Sequence, residues 1–201
     1  MNPVTALTLR VFAWLPICFG VWYFSSILFV QPMAWVLDGV MVLMFPDVIA
    51  NIYASGTELF ARTHVPAEGQ GLTGRLAGAI FISVNPLKYG YSIPLYTALV
   101  MASPEGEAWS KLSAWILGIF ILAVAQVFGV GTDILHTLAS VVGEAARDLL
   151  GFSLIGYEGL ALAYQFGYLI LPSVTPIVLW LWQFRSVIAP LTGRVDADSD
   201  F

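Results

Sequence analysis

Three residues offer a nucleophile and a base: Cys18, His64 and His136. A thiolate paired with an imidazole can form a covalent acyl intermediate, but it also needs donors to hold an oxyanion. No local pattern around Cys18 supplies them, and Cys18 falls inside an apolar run, where a thiol behaves as a small buried hydrophobe. Metal chemistry would draw on His64, His136, Glu58, Glu68, Asp133 and Glu144, which are scattered with no two histidines at ligand spacing. Asp133 and His136, three residues apart, share a helix face and read as a structural polar contact. There is no Gly-rich phosphate loop with its Lys and Ser/Thr and no dinucleotide fingerprint, and Ser153 and Ser173 have no base beside them in sequence. No catalytic residue, metal or cofactor is assigned on these grounds.

Polar groups inside apolar segments carry the next possibility. Asp38, Gln126 and Glu158 interrupt otherwise apolar stretches, and a carboxylate inside lipid tends to mark a transport pathway or a paired contact. Both acids lie where the chain is expected to meet the headgroups, so a wetted interfacial acid explains them as well. Prolines at 16, 94, 172 and 176 can free backbone carbonyls for a pathway. A small transporter or channel subunit is therefore the alternative function, and a cysteine transpeptidase or hydrolase using Cys18 a third.

One stretch differs in kind. Asn85-Pro86-Leu87-Lys88-Tyr89-Gly90-Tyr91-Ser92-Ile93-Pro94-Leu95-Tyr96 packs donors, acceptors and aromatic faces into twelve residues and then turns apolar to Ala102. Pro86 suits a helix start, where its missing N–H has no intrahelical partner, and Asn85 can cap it. Tyr89, Tyr91 and Tyr96 are amphipathic rings suited to the headgroup level, and Lys88 can reach water along its alkyl stem. Asn85, Lys88, Tyr89, Tyr91 and Tyr96 are the candidates for binding a protein partner, because aromatic and apolar groups supply contact area. Their bland alternative is an aromatic belt with a helix cap.

The elements that must position these residues are membrane helices. Of 201 residues, 59% are hydrophobic and only 10% charged, against about 25% charged in a soluble domain. So few charges cannot cover a water-exposed surface. A net charge of -5 makes nucleic acid a poor partner. The expected fold is an all-α integral membrane protein of four transmembrane helices, near 11–30, 86–102, 112–130 and 165–184. Residues 33–45 are too short for a crossing and suit a helix lying at the interface or folding back on the first span, or alternatively the end of one long helix running from the membrane into solvent. Residues 57–65 and 75–84, around a Gly-rich turn at 66–74, form a small β-hairpin or, alternatively, a helix. Apolar spacing over 132–150 predicts an outer amphipathic helix closed by Gly151, and Gly129-Val130-Gly131 is expected to loosen the span before it. Residues 1–185 then make a single membrane domain, with outer segments 31–85 and 131–164. Residues 186–201 are a short acidic cytoplasmic tail, expected to be disordered.

Four spans put both termini on one side. With that side cytoplasmic, Arg10, Lys111, Arg185 and Arg194 lie inside, and Arg62, Arg75, Lys88 and Arg147 outside. The counts tie, but Arg10, Lys111 and Arg185 abut spans, so the expected orientation has the N- and C-termini cytoplasmic.

The run Asn85 to Leu95 (Asn-Pro-Leu-Lys-Tyr-Gly-Tyr-Ser-Ile-Pro-Leu), with the order of apolar segments around it, resembles the exosortase H-associated membrane proteins. That resemblance implies a small bacterial inner-membrane protein encoded beside exosortase H. Exosortase H is a membrane-embedded, transpeptidase-like enzyme with a Cys, Arg and His set that processes proteins bearing a short C-terminal sorting signal. The exosortases are the nearby alternative, but here Cys18 comes in the first span and no outer-face Cys-Arg-His set follows. Activity is therefore not carried onto Cys18, Arg147 and His136. The implied function is a non-enzymatic accessory subunit of a protein-sorting system, with an exosortase-like multi-span membrane protein and the lipid bilayer as partners.

Overall fold

The computed structural model describes residues 3–66, 75–76, 79–103 and 108–185. The turn at 67–74 with Glu68, the glycine at 78, the polar turn at 104–107 and the acidic tail 186–201 lie outside the described residues. The chain groups into two compact units. One holds residues 1–24, 91–122 and 173–201, and the other 25–90 and 123–172.

In the first unit, α1 (Pro3–Phe24) packs on α4 (Ser92–Ala102), beside the opening half of α5 (Ala108–Thr137) and α8 (Leu171–Gln183) from Ser173 onward. Its core is Ile93, Tyr96, Leu99, Val100, Leu122, Trp180 and Phe184. Aromatic polar tips are closed there by neutral hydrogen bonds. Trp180 Nε1 donates to Ser103 Oγ at 2.8 Å and Trp115 Nε1 to Thr97 Oγ1 at 3.1 Å, while Lys111 Nζ donates to the Ser103 carbonyl at 3.0 Å.

The second unit is built on α2 (Ser26–Met44) and a four-stranded antiparallel sheet of β1 (Ile49–Ser55), β2 (Glu58–Pro66), β3 (Arg75–Leu76) and β4 (Ala79–Val84), in the order β1-β2-β4-β3. Strand β2 alternates as a half-buried strand must: Leu59, Ala61, Thr63 and Val65 are buried, while Arg62 and His64 are exposed. Fully burying side chains such as Leu59 and Ile82 contributes roughly 1.5–3 kcal/mol each. Ser55 pairs with Glu58 across a two-residue turn at Gly56-Thr57, where Gly56 has φ 64°, so β1 joins the two strands read from sequence. The Asp38 carboxylate of α2 accepts the Ile52 N–H of edge strand β1 at 2.6 Å. After the sheet come the single turn α3 (Leu87–Gly90), the closing part of α5, α6 (Glu144–Leu150) and α7 (Leu154–Gln165). Five-residue π-helical turns, Leu138–Val142 and Phe166–Ile170, follow α5 and α7.

Four helical stretches are long and apolar enough to cross a bilayer: Val4–Phe24, Ser26–Met44, Ala108–Val142 and Leu154–Gln183. Large apolar side chains point outward along them, with Phe12 67%, Phe24 87%, Trp35 76% and Leu43 82% exposed, a surface that only lipid can solvate. This is an all-α integral membrane protein with a small antiparallel sheet.

The boundaries differ from the sequence reading for identifiable reasons. Gln31-Pro32 does not end the first span: α1 stops at Phe24, Pro32 sits within α2, and residues 26–44 are one helix rather than the tail of that span and a short interfacial piece. Residues 86–102 are not one helix. They break at Tyr91 into α3 and α4, whose 11 residues are too few to cross at 1.5 Å each. Gly129 and Gly131 do not loosen α5, which continues to Thr137, so only α6 of the region 132–150 is separate. Gly151 does close α6, at φ 63° in the left-handed region.

Candidate functional site

The second unit gathers a connected set of polar and aromatic groups, and α3 is its pivot. Asn85 Oδ1 accepts the Leu87 N–H at 2.9 Å, and the Pro86 carbonyl accepts the N–H groups of Tyr89 and Gly90 at 3.0 and 3.2 Å. The same carbonyl accepts Gln126 Nε2 at 3.1 Å, which ties the turn to α5 and satisfies the one strongly polar side chain of the apolar run 112–130.

So anchored, α3 sends consecutive side chains in opposite directions. Lys88 turns outward with 41% of its side chain exposed, and its Nζ lies 3.0 Å from Asp133 Oδ2, whose side chain is 7% exposed. Tyr89 turns inward and is 1% exposed. Its ring is seated on Gly129, where a Cβ would meet Tyr89 Cδ1 at 2.6 Å. Gly167 approaches as closely: a Cβ there would stand 2.9 Å from Gly129 Cα. Paired glycines let the two backbones and the ring share a space that side chains would fill.

Tyrosines wall the ion pair. Lys88 Nζ lies 5.7 Å from the Tyr89 ring centroid and 6.0 Å from that of Tyr168, within cation–π range. Tyr168 meets Tyr89 edge-on at 5.9 Å and stacks with Tyr164 at 6.1 Å, and Tyr164 stacks with His136 at 4.5 Å. The π-helical turn after α7 carries Tyr168, a place where such a turn re-aims side chains. The Tyr89 hydroxyl is buried against the Asp133 carboxylate without an aligned hydrogen bond. Burial first, and Asp133 second, push its phenol pKa up, so it stays neutral.

Chemically, this arrangement holds a cation in place. Lys88 pairs with Asp133 by charge, without an aligned hydrogen bond, and keeps its ammonium protons for a carbonyl or carboxylate arriving from outside. Of the residues singled out for partner binding, Asn85 and Lys88 are exposed, and Tyr91 is half-buried. Tyr89 and Tyr96, at 1% and 0% exposed, offer no contact area in the isolated chain. Tyr96 and Tyr91 belong to the first unit. The Tyr96 hydroxyl faces the Ala114 carbonyl at 2.8 Å and Gln183 Oε1 at 2.5 Å. Asp133 and His136 contribute as the ion-pair partner and as the end of the aromatic stack. Tyr164 and Tyr168 escaped the sequence reading, although their i, i+4 spacing on an apolar helix is a usable signal.

The other candidates find local roles or stay apart. Cys18 is buried in α1 of the first unit, while His64 and His136 belong to the second. Among the described residues no three His, Cys, Asp or Glu side chains are grouped as a metal would need. Glu58 accepts from Ser83 Oγ at 2.9 Å, and Glu144 and Glu158 are exposed.

Fold and site together define a small membrane protein with four helices able to cross a bilayer, in which a helical turn holds a lysine–aspartate pair among tyrosines. The chain belongs to the exosortase H-associated membrane protein family, whose family model matches residues 1–187. No curated protein and no solved structure matches it.

Proposed function

We propose that the protein is a non-enzymatic accessory subunit of an exosortase-type protein-sorting system in the bacterial inner membrane, acting by binding a multi-span membrane partner. Both termini are cytoplasmic in this reading. The observation that carries it is Lys88, held by Asp133 and flanked by two tyrosine rings, with 41% of its side chain still exposed. A cation fixed in this way loses little freedom when an acceptor from another protein reaches it, which is what a contact surface needs. Exposed Asn85 and the exposed ring of Tyr168, beside Lys88, extend the same face.

The test is co-purification of the exosortase from native membranes, with a photo-crosslinker at 85 or 88. Lys88→Gln should lower recovery at least about fivefold, as loss of one well-placed contact does, and Lys88→Arg should restore part of it. Melting of each variant is followed in parallel. Crosslinks to lipid alone, or intact substrate sorting in a deletion strain, would count decisively against the reading.

A further inference from the structure

The first unit holds a second polar feature, unrelated to the lysine–aspartate pair. Where α5 begins and α8 ends, a cleft of about 420 Å³ is lined by Ser110, Ser113 and Leu117 of α5 and by Trp182, Gln183 and Arg185 at the end of α8. From this cleft, we infer that the protein carries a seat for one anionic phospholipid, its phosphate on Arg185 and Ser110 and its acyl chain along Leu117.

Charge points to the headgroup. Arg185 is exposed and forms no ion pair among the described residues, and no described carboxylate lines the cleft. The neighbouring polar groups sort into used and unused donors. Gln183 Nε2 donates to the Ala114 carbonyl at 3.2 Å and Ser113 Oγ to the Ser110 carbonyl at 2.9 Å. The Ser110 hydroxyl, the Trp182 indole N–H and the guanidinium are left, donors that suit phosphate oxygens. Depth points to a lipid rather than a free anion. The cleft sits at the ends of two candidate spans, beside the indoles of Trp109 (78% exposed) and Trp182 (59% exposed), which is where a headgroup layer meets such helices. Leu117 lines the cleft, and Ile116 next to it on α5 is exposed, an apolar surface that suits an acyl chain and is no use to inorganic phosphate.

The experiment is native mass spectrometry of the detergent-solubilised protein with added phosphatidylglycerol or phosphatidylcholine. Wild type should retain phosphatidylglycerol about fivefold better than phosphatidylcholine, the factor expected for one basic side chain at a membrane surface. Arg185→Gln should erase that preference with its melting temperature unchanged, and Arg62→Gln, which removes the same charge from the sheet, should keep it. Equal retention of the two lipids, or an unaltered preference in Arg185→Gln, overturns the inference. Displacement of bound lipid by glycerol 3-phosphate at matched concentration also overturns it, because the site would then recognise a free phosphate.

Discussion

Two tyrosines, one in each unit, are seated the same way and finished differently. Tyr96 lies on Gly118 so closely that a Cβ there would run into its ring, and Tyr89 lies on Gly129. Both are fully buried. The hydroxyl of Tyr96 ends on two acceptors, the Ala114 carbonyl and the Gln183 side chain, and so pins α4 to α5 and α8. That of Tyr89 ends against a carboxylate already engaged by Lys88 and makes no aligned hydrogen bond. Where every polar tip is closed, as around Tyr96, the residues serve the fold. Where a buried hydroxyl is left open beside a half-exposed cation, stability has been given up locally.

The comparison can be broken at its seats first. Gly118→Ala should destabilise the first unit by about 3 kcal/mol, the upper end for overpacking, because the ring it strikes is held at its far end. Gly129→Ala should cost less, since its nearest atom is the unbonded Tyr89 ring. Thermal melting in detergent with a tryptophan readout ranks the two, and equal losses would mean the hydroxyl bonds do not hold Tyr96.

A smaller effect is expected at the charge pair. Lys88→Met leaves a buried Asp133 without its counter-charge and should cost about 2 kcal/mol, between the values for exposed and buried pairs. Adding Asp133→Leu should recover most of the loss, and a double-mutant cycle with no coupling would show the pair to be inert. The smallest change is the most discriminating. Tyr96→Phe should cost about 1.5 kcal/mol because it strands Gln183, whereas Tyr89→Phe should be neutral or slightly stabilising. A reversal of that order would remove the distinction between the two tyrosines.

Much of the architecture was legible because composition and apolar run length are strong signals. Membrane class, strand formation within 57–65 and 75–84 and the Gly151 stop all follow from local chemistry, although 75–84 holds two strands, β3 and β4, rather than one. The second helix was misplaced because Pro32 and Asp38 look like breaks in an apolar run. Only the structure shows that Asp38 is satisfied by a strand N–H fourteen residues away. At the site, sequence singled out Lys88, Tyr89, Asp133 and His136 but not that they converge. Their meeting depends on Gly129 and Gly167, whose contribution is an absence of side chain, and on a π-helical turn that no local pattern announces.

The bond from Ile52 N–H to Asp38 has a consequence for how copies of this chain can meet. Strand β1 is the rim of its sheet, and a bare rim invites a strand from another molecule, whether by swapping or by templated aggregation. Here the outward N–H at the middle of the rim is occupied by a carboxylate from α2, which packs along the same strand. An incoming strand would have to displace a charge-assisted bond and then leave that carboxylate facing its own backbone carbonyls. Crowded in a membrane, the protein is thereby guarded against zipping onto its neighbours through β1, and association on that side is left to side chains.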